Sequence, residues 1–458
     1  MPPPRTVFAP ELLFWEGELQ SGLCLEVGED GRIHRVHEGR VEGATALPRR
    51  ALLPGMVNGH SHAFQRLIRG RTEYVSEVSG RDDFWSWRES MYRAAGAMGP
   101  DDVFVVSRQA FLEMVRAGIT TVGEFHYLHH QADGTPYADR NELAHQVIRA
   151  ATEVGLRICL LRVGYARAGF NVEPNPRQRR FIDPDPETFL RAVDALSARH
   201  RGDRAVRVGL APHSVRAVTR DWLTAVGVRP ECIHMHVSEQ PAEIAACRAE
   251  HGKTPVELLD EVGLLRPDFT AVHAVHLEPH EVQLLGRGEV TICACPSTEA
   301  NLGDGIVRAD ELLRAGAQVS LGSDSQATID LLGEARQLEN HLRLLRLRRA
   351  VLDPGGGRSQ GLARRLFQMA TVSGARSLGL GTGTFSVGSP ADFFSVDLDH
   401  PSLAGAGDAV LPALVFSGER DAIREVYVGG KAVVSEGRHP LEEVSARAFD
   451  SLCKRVFS

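Results

Sequence analysis

Lysine is almost missing from this chain. Of its 52 Lys and Arg residues only Lys253, Lys431 and Lys454 are lysine, which leaves 49 arginines. Net charge is -7 and no basic block stands out as a phosphate-binding stripe, so nucleic acid is not an expected partner. No apolar run reaches the roughly 18 residues that span a bilayer. The opening MPPPRTVFAPELLFW also lacks the charged head and apolar core of a secretory signal. A cytoplasmic protein with no membrane partner is expected. The seven cysteines are odd in number and scattered, unlike a disulfide framework, and suit a reducing compartment. Cys293 and Cys295, two apart on an expected strand, read as small core residues and not as metal ligands. No heptad, repeat array or low-complexity segment appears. "STEANLGDG" lacks the spacing and the lysine of a phosphate loop, which argues against nucleotide binding.

What is present describes a globular protein, 43% hydrophobic and 24% charged over 458 residues. That length suits one large domain and a smaller one. The first fifty residues read as short strands, with an Asp-Gly turn inside "LCLEVGEDGRIHRV". From about residue 51 to 325, eight apolar runs follow: "ALLPGMVNGH", "ITTVGEFHY", "RICLLRVGY", "VRVGLAPHS", "CIHMHVSE", "FTAVHAVH", "VTICACPS" and "QVSLGSDS". Helical stretches such as "DDVFVVSRQAFLEMVRAG" separate them. Strand then helix, repeated, predicts parallel strands closing into a (β/α)8 TIM-like barrel. Residues 326–384 read as helical, and the tail returns to strand and turn signals. The expected organisation is an α/β barrel over 53–384. Residues 1–52 and 385–458 pair beside it as a small β-sandwich domain.

The informative feature is where each run stops. Run one ends in His60 and His62, run two in Glu124, His126 and Tyr127, run four in His213, and run five in His236 and Glu239. Run six ends in His273 and His276, run seven in Ser297, Thr298, Glu299 and Asn301, and run eight in Asp324. Catalytic groups of such barrels project from the carboxyl ends of the strands, so these side chains converge on one mouth. Strand alternation aims His60 and His62 to the same side, and His236 with Asp324 completes three nitrogens and one oxygen. Zinc suits that donor set best, with iron or manganese as alternatives. A second metal would want a bridging carboxylated lysine on an intermediate strand. All three lysines lie beyond His236, so one metal per subunit is expected.

The motifs "HSHAFQR", "FWSWRESMYR", "EFHYLHH", "HSVRAVT", "STEANLGDGI" and "GSDS" occur in this order over nearly the whole chain. In them the sequence resembles the amidohydrolase superfamily, and within it the formimidoylglutamate deiminases. Those enzymes hydrolyse N-formimino-L-glutamate to N-formyl-L-glutamate and ammonia in histidine degradation. The resemblance implies that His60, His62, His236 and Asp324 hold the metal and that Asp324 also accepts the water's proton. It further implies that His273 orients that water and that Glu239 passes the proton to the imine nitrogen and the leaving ammonia. Arg88, Arg216, His213, Tyr127 and Gln65 match the residues that bind the dicarboxylate substrate, for which fixed cations are the natural partners. Arg88 could reach its own pocket or that of a neighbouring subunit, since the resemblance also implies a homodimer.

Two other readings remain at this point. A deaminase of a cyclic purine, pyrimidine or triazine would want flat apolar walls more than paired cations, and a non-catalytic barrel would be free to lose ligands that are all present here. His126 and His276 read as structural or supporting. Trp85 and Trp87 would pack a loop or a dimer contact as readily as touch ligand. Ser61 and Ser325 read as hydrogen bonders beside the ligands, not as members of a Ser-His-Asp triad.

Overall fold

In the computed structural model, which describes residues 5–75, 84–170, 172 and 176–457, the eight runs become eight parallel strands in unbroken sequential order. They are β1 (Met56–Ser61), β2 (Ile119–His126), β3 (Arg157–Gly164), β4 (Val206–Pro212), β5 (Ile233–Val237), β6 (Phe269–His273), β7 (Thr291–Ala294) and β8 (Gln318–Leu321). Each is buried over nearly its whole length. Strands covered on both faces carry apolar side chains to both sides, which is why they read as runs and not as alternations. Pro100, Pro186, Pro241, Pro255, Pro279 and Pro296 stand at the first turn of helices between them, where a missing N–H costs nothing.

Closure of the barrel falls at the functional end. The His62 N–H donates to the Asp324 carbonyl at 2.9 Å and the Asp324 N–H to the His60 carbonyl at 3.1 Å, so the first and last strands join through these residues. Gly322 permits the approach: a Cβ there would lie 2.9 Å from the His60 Cβ.

The two chain ends pair into one further sheet of eight strands. Thr45–Pro54 is its hinge, parallel to Thr6–Trp15 on one side and antiparallel to Phe393–Asp397 on the other. It runs on through Gly55 directly into β1. Phe8, Phe393 and Tyr427 pack their rings 4.5 to 5.2 Å apart in the core of this sheet. Leu331–Arg346, Gly361–Met369 and Val372–Ser377 are helices, as expected for that region. The tail departs from its expected strand-and-turn character in Glu442–Phe457, a 16-residue helix. It lies on Pro100–Arg116 through a Ser445–Gln109 hydrogen bond of 2.9 Å and an Arg455–Asp102 ion pair. Only Ser445 and Leu452 are fully buried along it, with Phe449, Cys453 and Val456 half-buried against the core, a weak stripe that the turn signals around it obscured. No helix among the described residues is long and apolar enough to cross a membrane.

One buried ion pair ties the crossover after β3 to the barrel. Arg162 on β3 donates to Asp183 at 2.6 Å and to Asn141 at 3.0 Å, with both charged side chains fully buried. Removing one partner strands a charge in the interior, so Asp183→Ala is expected to cost about 3–5 kcal/mol, read as a lower denaturation midpoint. Replacing both, as Arg162→Met with Asp183→Leu, should cost much less. Equal losses for the single and double variants would contradict the pairing.

Candidate active site

Every strand end that the sequence singled out opens on the same face of the barrel. His60 closes β1 and His62 follows it, His236 lies on β5, His273 ends β6, and Asp324 stands three residues beyond β8. Three of these ends are bent into left-handed backbone: Ser238 at φ 51°, His273 at φ 69° and Asp324 at φ 45°. Residues with a Cβ avoid that region, and where they persist in it the strain collects at functional sites.

His60, His62, His236 and Asp324 offer ligand atoms that all lie within 4.8 Å of one another, and all four are buried. The His60 and His62 Nε2 atoms are 3.2 Å apart, those of His62 and His236 3.4 Å, and Asp324 Oδ1 is 3.3 Å from His62 and 3.4 Å from His60. The tautomers decide what belongs between them. His62 Nδ1 donates to the Phe125 carbonyl at 2.9 Å and His236 Nδ1 to the His213 carbonyl at 3.1 Å, and a carbonyl only accepts. Both Nε2 atoms therefore turn bare lone pairs toward each other. Burial pushes the His60 imidazole down to about 3 and the His62 and His236 imidazoles below their ordinary range, so protonation does not relieve the clash. Burial also opposes ionisation of Asp324, but the adjoining imidazoles of His60, His273 and His62 hold its carboxyl well below the usual range. Three neutral nitrogens and one carboxylate facing inward are the donor set of a divalent cation, and a cation fits them.

A second ring of charge surrounds the cluster. His273 Nε2 is 3.6 Å from Asp324 Oδ2 and 3.8 Å from Glu239 Oε1, while its Nδ1 meets Glu299 at 3.2 Å. Burial works to lower the His273 imidazole, yet Glu299, Glu239 and Asp324 hold it well above its ordinary range. Glu239 is pushed up by burial, with Asp324 and Glu299 adding to the shift and His273 and Arg216 opposing it. Arg216 lies between two buried carboxylates, Glu239 Oε2 at 3.4 Å and Glu243 Oε1 at 3.7 Å. Burial pushes the Glu243 carboxyl up to about 7 despite that arginine.

The cluster forms the floor of a cavity that also brings together Gln65, Arg88, Tyr127, His213, Arg216, Glu239 and His273. All the residues the sequence marked for metal, catalysis and substrate border this one space, except that His60 lies just beneath it. Gln65 donates to the Tyr127 hydroxyl at 3.0 Å. Arg88 lines the cavity of its own chain, from the helix Phe84–Gly96. Phe84, Trp87, Arg88, Met91 and Tyr92 all face inward from that helix. Their spacing of three and four residues is one helical face, which makes this helix a roof over the site.

Several residues of the site were not legible as such. Trp87, which the sequence left without an assigned role, borders the cavity; the side chain of Trp85 lies outside the described residues. Tyr165 ends run three as polar groups end the others, and it borders the cavity with its hydroxyl bonded to Gln178 at 2.9 Å. Its position was the signal. Glu243 left none, since a glutamate in the first turn of a helix is ordinary. His126 is buried beneath the site, and Ser61 donates to the buried Glu124 at 2.5 Å, a supporting contact.

A family model described as "Amidohydrolase family" matches residues 51–433. The chain is 39% identical to formimidoylglutamate deiminase of Pseudomonas aeruginosa over 451 residues, 97% of each protein. Its fold is similar to the crystal structure of an amidohydrolase from Brucella melitensis, with a TM-score of 0.91, 35% identity and coverage of 99% of this chain and 100% of that one. An adenosine deaminase from Xanthomonas campestris, solved with bound zinc, shares the fold at a TM-score of 0.82 and 22% identity, with 98% of each chain covered.

Proposed function

The chain belongs to the amidohydrolase family, and from that premise we propose that it hydrolyses N-formimino-L-glutamate to N-formyl-L-glutamate and ammonia. We assign one zinc ion to His60, His62, His236 and Asp324. The observation that carries the reading is the company this donor set keeps: an acid, Glu239, and two arginines, Arg88 and Arg216, border the same cavity.

A divalent cation held there supplies Lewis acidity and lets water act as a nucleophile near neutral pH. Arg88 and Arg216 bind the substrate carboxylates, with Gln65, Tyr127 and His213 fixing its remaining polar groups. The imine carbon is thereby held over the cluster. Asp324, ionised and with Oδ2 turned toward His273, takes the proton of the attacking water. His273 stays oriented for this because Glu299 holds its other nitrogen. Glu239, whose raised pKa suits a group that must both hold and release a proton, protonates the imine nitrogen, takes the remaining hydroxyl proton and passes it to the departing ammonia, after which the proton on Asp324 returns to it. Water's oxygen remains on carbon as the formyl group and the carbon–nitrogen bond breaks.

The same reading extends to a cytoplasmic homodimer. Its seven free cysteines suit a reducing compartment, and Arg88 serves the pocket of its own chain. The test is ammonia release by zinc-loaded protein from N-formimino-L-glutamate, beside N-formimino-L-aspartate, guanine and cytosine. Turnover of the glutamate compound alone is expected. Turnover of a ring substrate instead would keep the metal and discard the substrate.

A further inference from the structure

Glu243 has no part in the reaction described above, yet it is 1% exposed and placed where two of its members meet. It stands in the first turn of the helix Pro241–His251. One carboxylate oxygen, Oε2, accepts the backbone N–H of Glu239 at 3.2 Å. The other, Oε1, faces Arg216 Nε at 3.7 Å, and neither of these two buried atoms has a hydrogen-bond partner. On its far side the Arg216 guanidinium donates from Nη2 to Glu239 at 3.4 Å. The arginine is thus shared between two carboxylates.

Without the second carboxylate, a buried guanidinium next to Glu239 would close on it as a bidentate pair, the strongest arrangement open to the two groups. That pair would withdraw the arginine from any substrate carboxylate. Burial opposes the charge on Arg216, and Glu243 and Glu239 together, Glu243 ahead, outweigh it. Phe84, with its ring centre 5.8 Å from the guanidinium carbon, limits movement on the cavity side.

We propose that Glu243 is a positioning residue: it holds Arg216 by its Nε edge, and so keeps the guanidinium available to a substrate carboxylate by limiting it to a single contact with the acid Glu239. This role rests on the substrate reading above, in which Arg216 binds a carboxylate.

Glu243→Gln keeps the shape and an oxygen for the Glu239 N–H and removes only the charge. For N-formimino-L-glutamate, KM is expected to rise about 10–100-fold while kcat stays within about fivefold, the worth of one charged hydrogen bond in the ground state. In an Arg216→Met background the same substitution should change KM by less than about twofold, because the two act as one unit. An unchanged KM, or a full effect without the arginine, overturns the role. A crystal structure of the zinc-loaded Glu243→Gln variant reads the same point without substrate. Arg216 should turn wholly onto Glu239, and an unmoved guanidinium overturns the proposal. The unsubstituted enzyme assayed alongside separates the two readings, since its failure to release ammonia would sink the substrate and leave the crystallographic result standing.

Discussion

Replacing His62 by alanine is expected to give a folded protein that retains less than about a tenth of its metal and releases ammonia at least about 10³-fold more slowly. Loss of a group that merely supports a ligand already costs about 10–100-fold in affinity or activity, and a direct donor should cost more. The bare Nε2 atoms of His62 and His236, 3.4 Å apart, add a second signature. In the metal-free protein they repel across a buried gap, so removal of the metal should lower the melting temperature of the unsubstituted protein clearly. In His62→Ala the repulsion is gone, and a chelator should leave the melting temperature almost unmoved. Metal content by atomic emission and melting curves with and without chelator measure both effects. A variant with full metal and full activity would refute the donor assignment.

Glu239→Gln is expected to lower kcat by about 10²–10⁴-fold, the usual contribution of a positioned acid. Metal content should stay the same, because Glu239 is not among the four inward-facing donors. KM should change little, since an amide at this position still accepts from Arg216. This separates the acid from the metal site: His62→Ala loses both metal and rate, and Glu239→Gln loses rate alone. Equal kcat in Glu239→Gln and the unsubstituted enzyme would move the proton transfer to another group, with Asp304 and Glu243 the nearest acids raised by burial.

The barrel and its mouth were legible for a physical reason. A strand buried on both faces has to be apolar until it leaves the barrel, so the first polar residues after each run mark the functional rim. His60, His62, His236, His273 and Asp324 all follow that rule. Residues that reach the site from elsewhere do not. Phe84 and Trp87 come from a helix whose inward face is visible only once the cavity is known, and Glu243 looks like an ordinary first-turn glutamate. The helix Glu442–Phe457 escaped because its apolar stripe is only half-buried: Ser445 and Leu452 are enclosed, while Phe449, Cys453 and Val456 stay partly exposed.

The strand Thr45–Pro54 continues without a break into β1, and its partner Phe393–Asp397 is made only after all eight barrel strands. On a ribosome, the segment that leads into His60 and His62 therefore waits for nearly the whole chain before it is anchored on both sides. β1 must also wait for β8 before its end is joined through Asp324. Pairings so distant in sequence are slow to form. On the proposed reading, the order of synthesis makes metal capture a late event in this protein's biogenesis, with the first strand, which bears His60, among the last parts to become fixed.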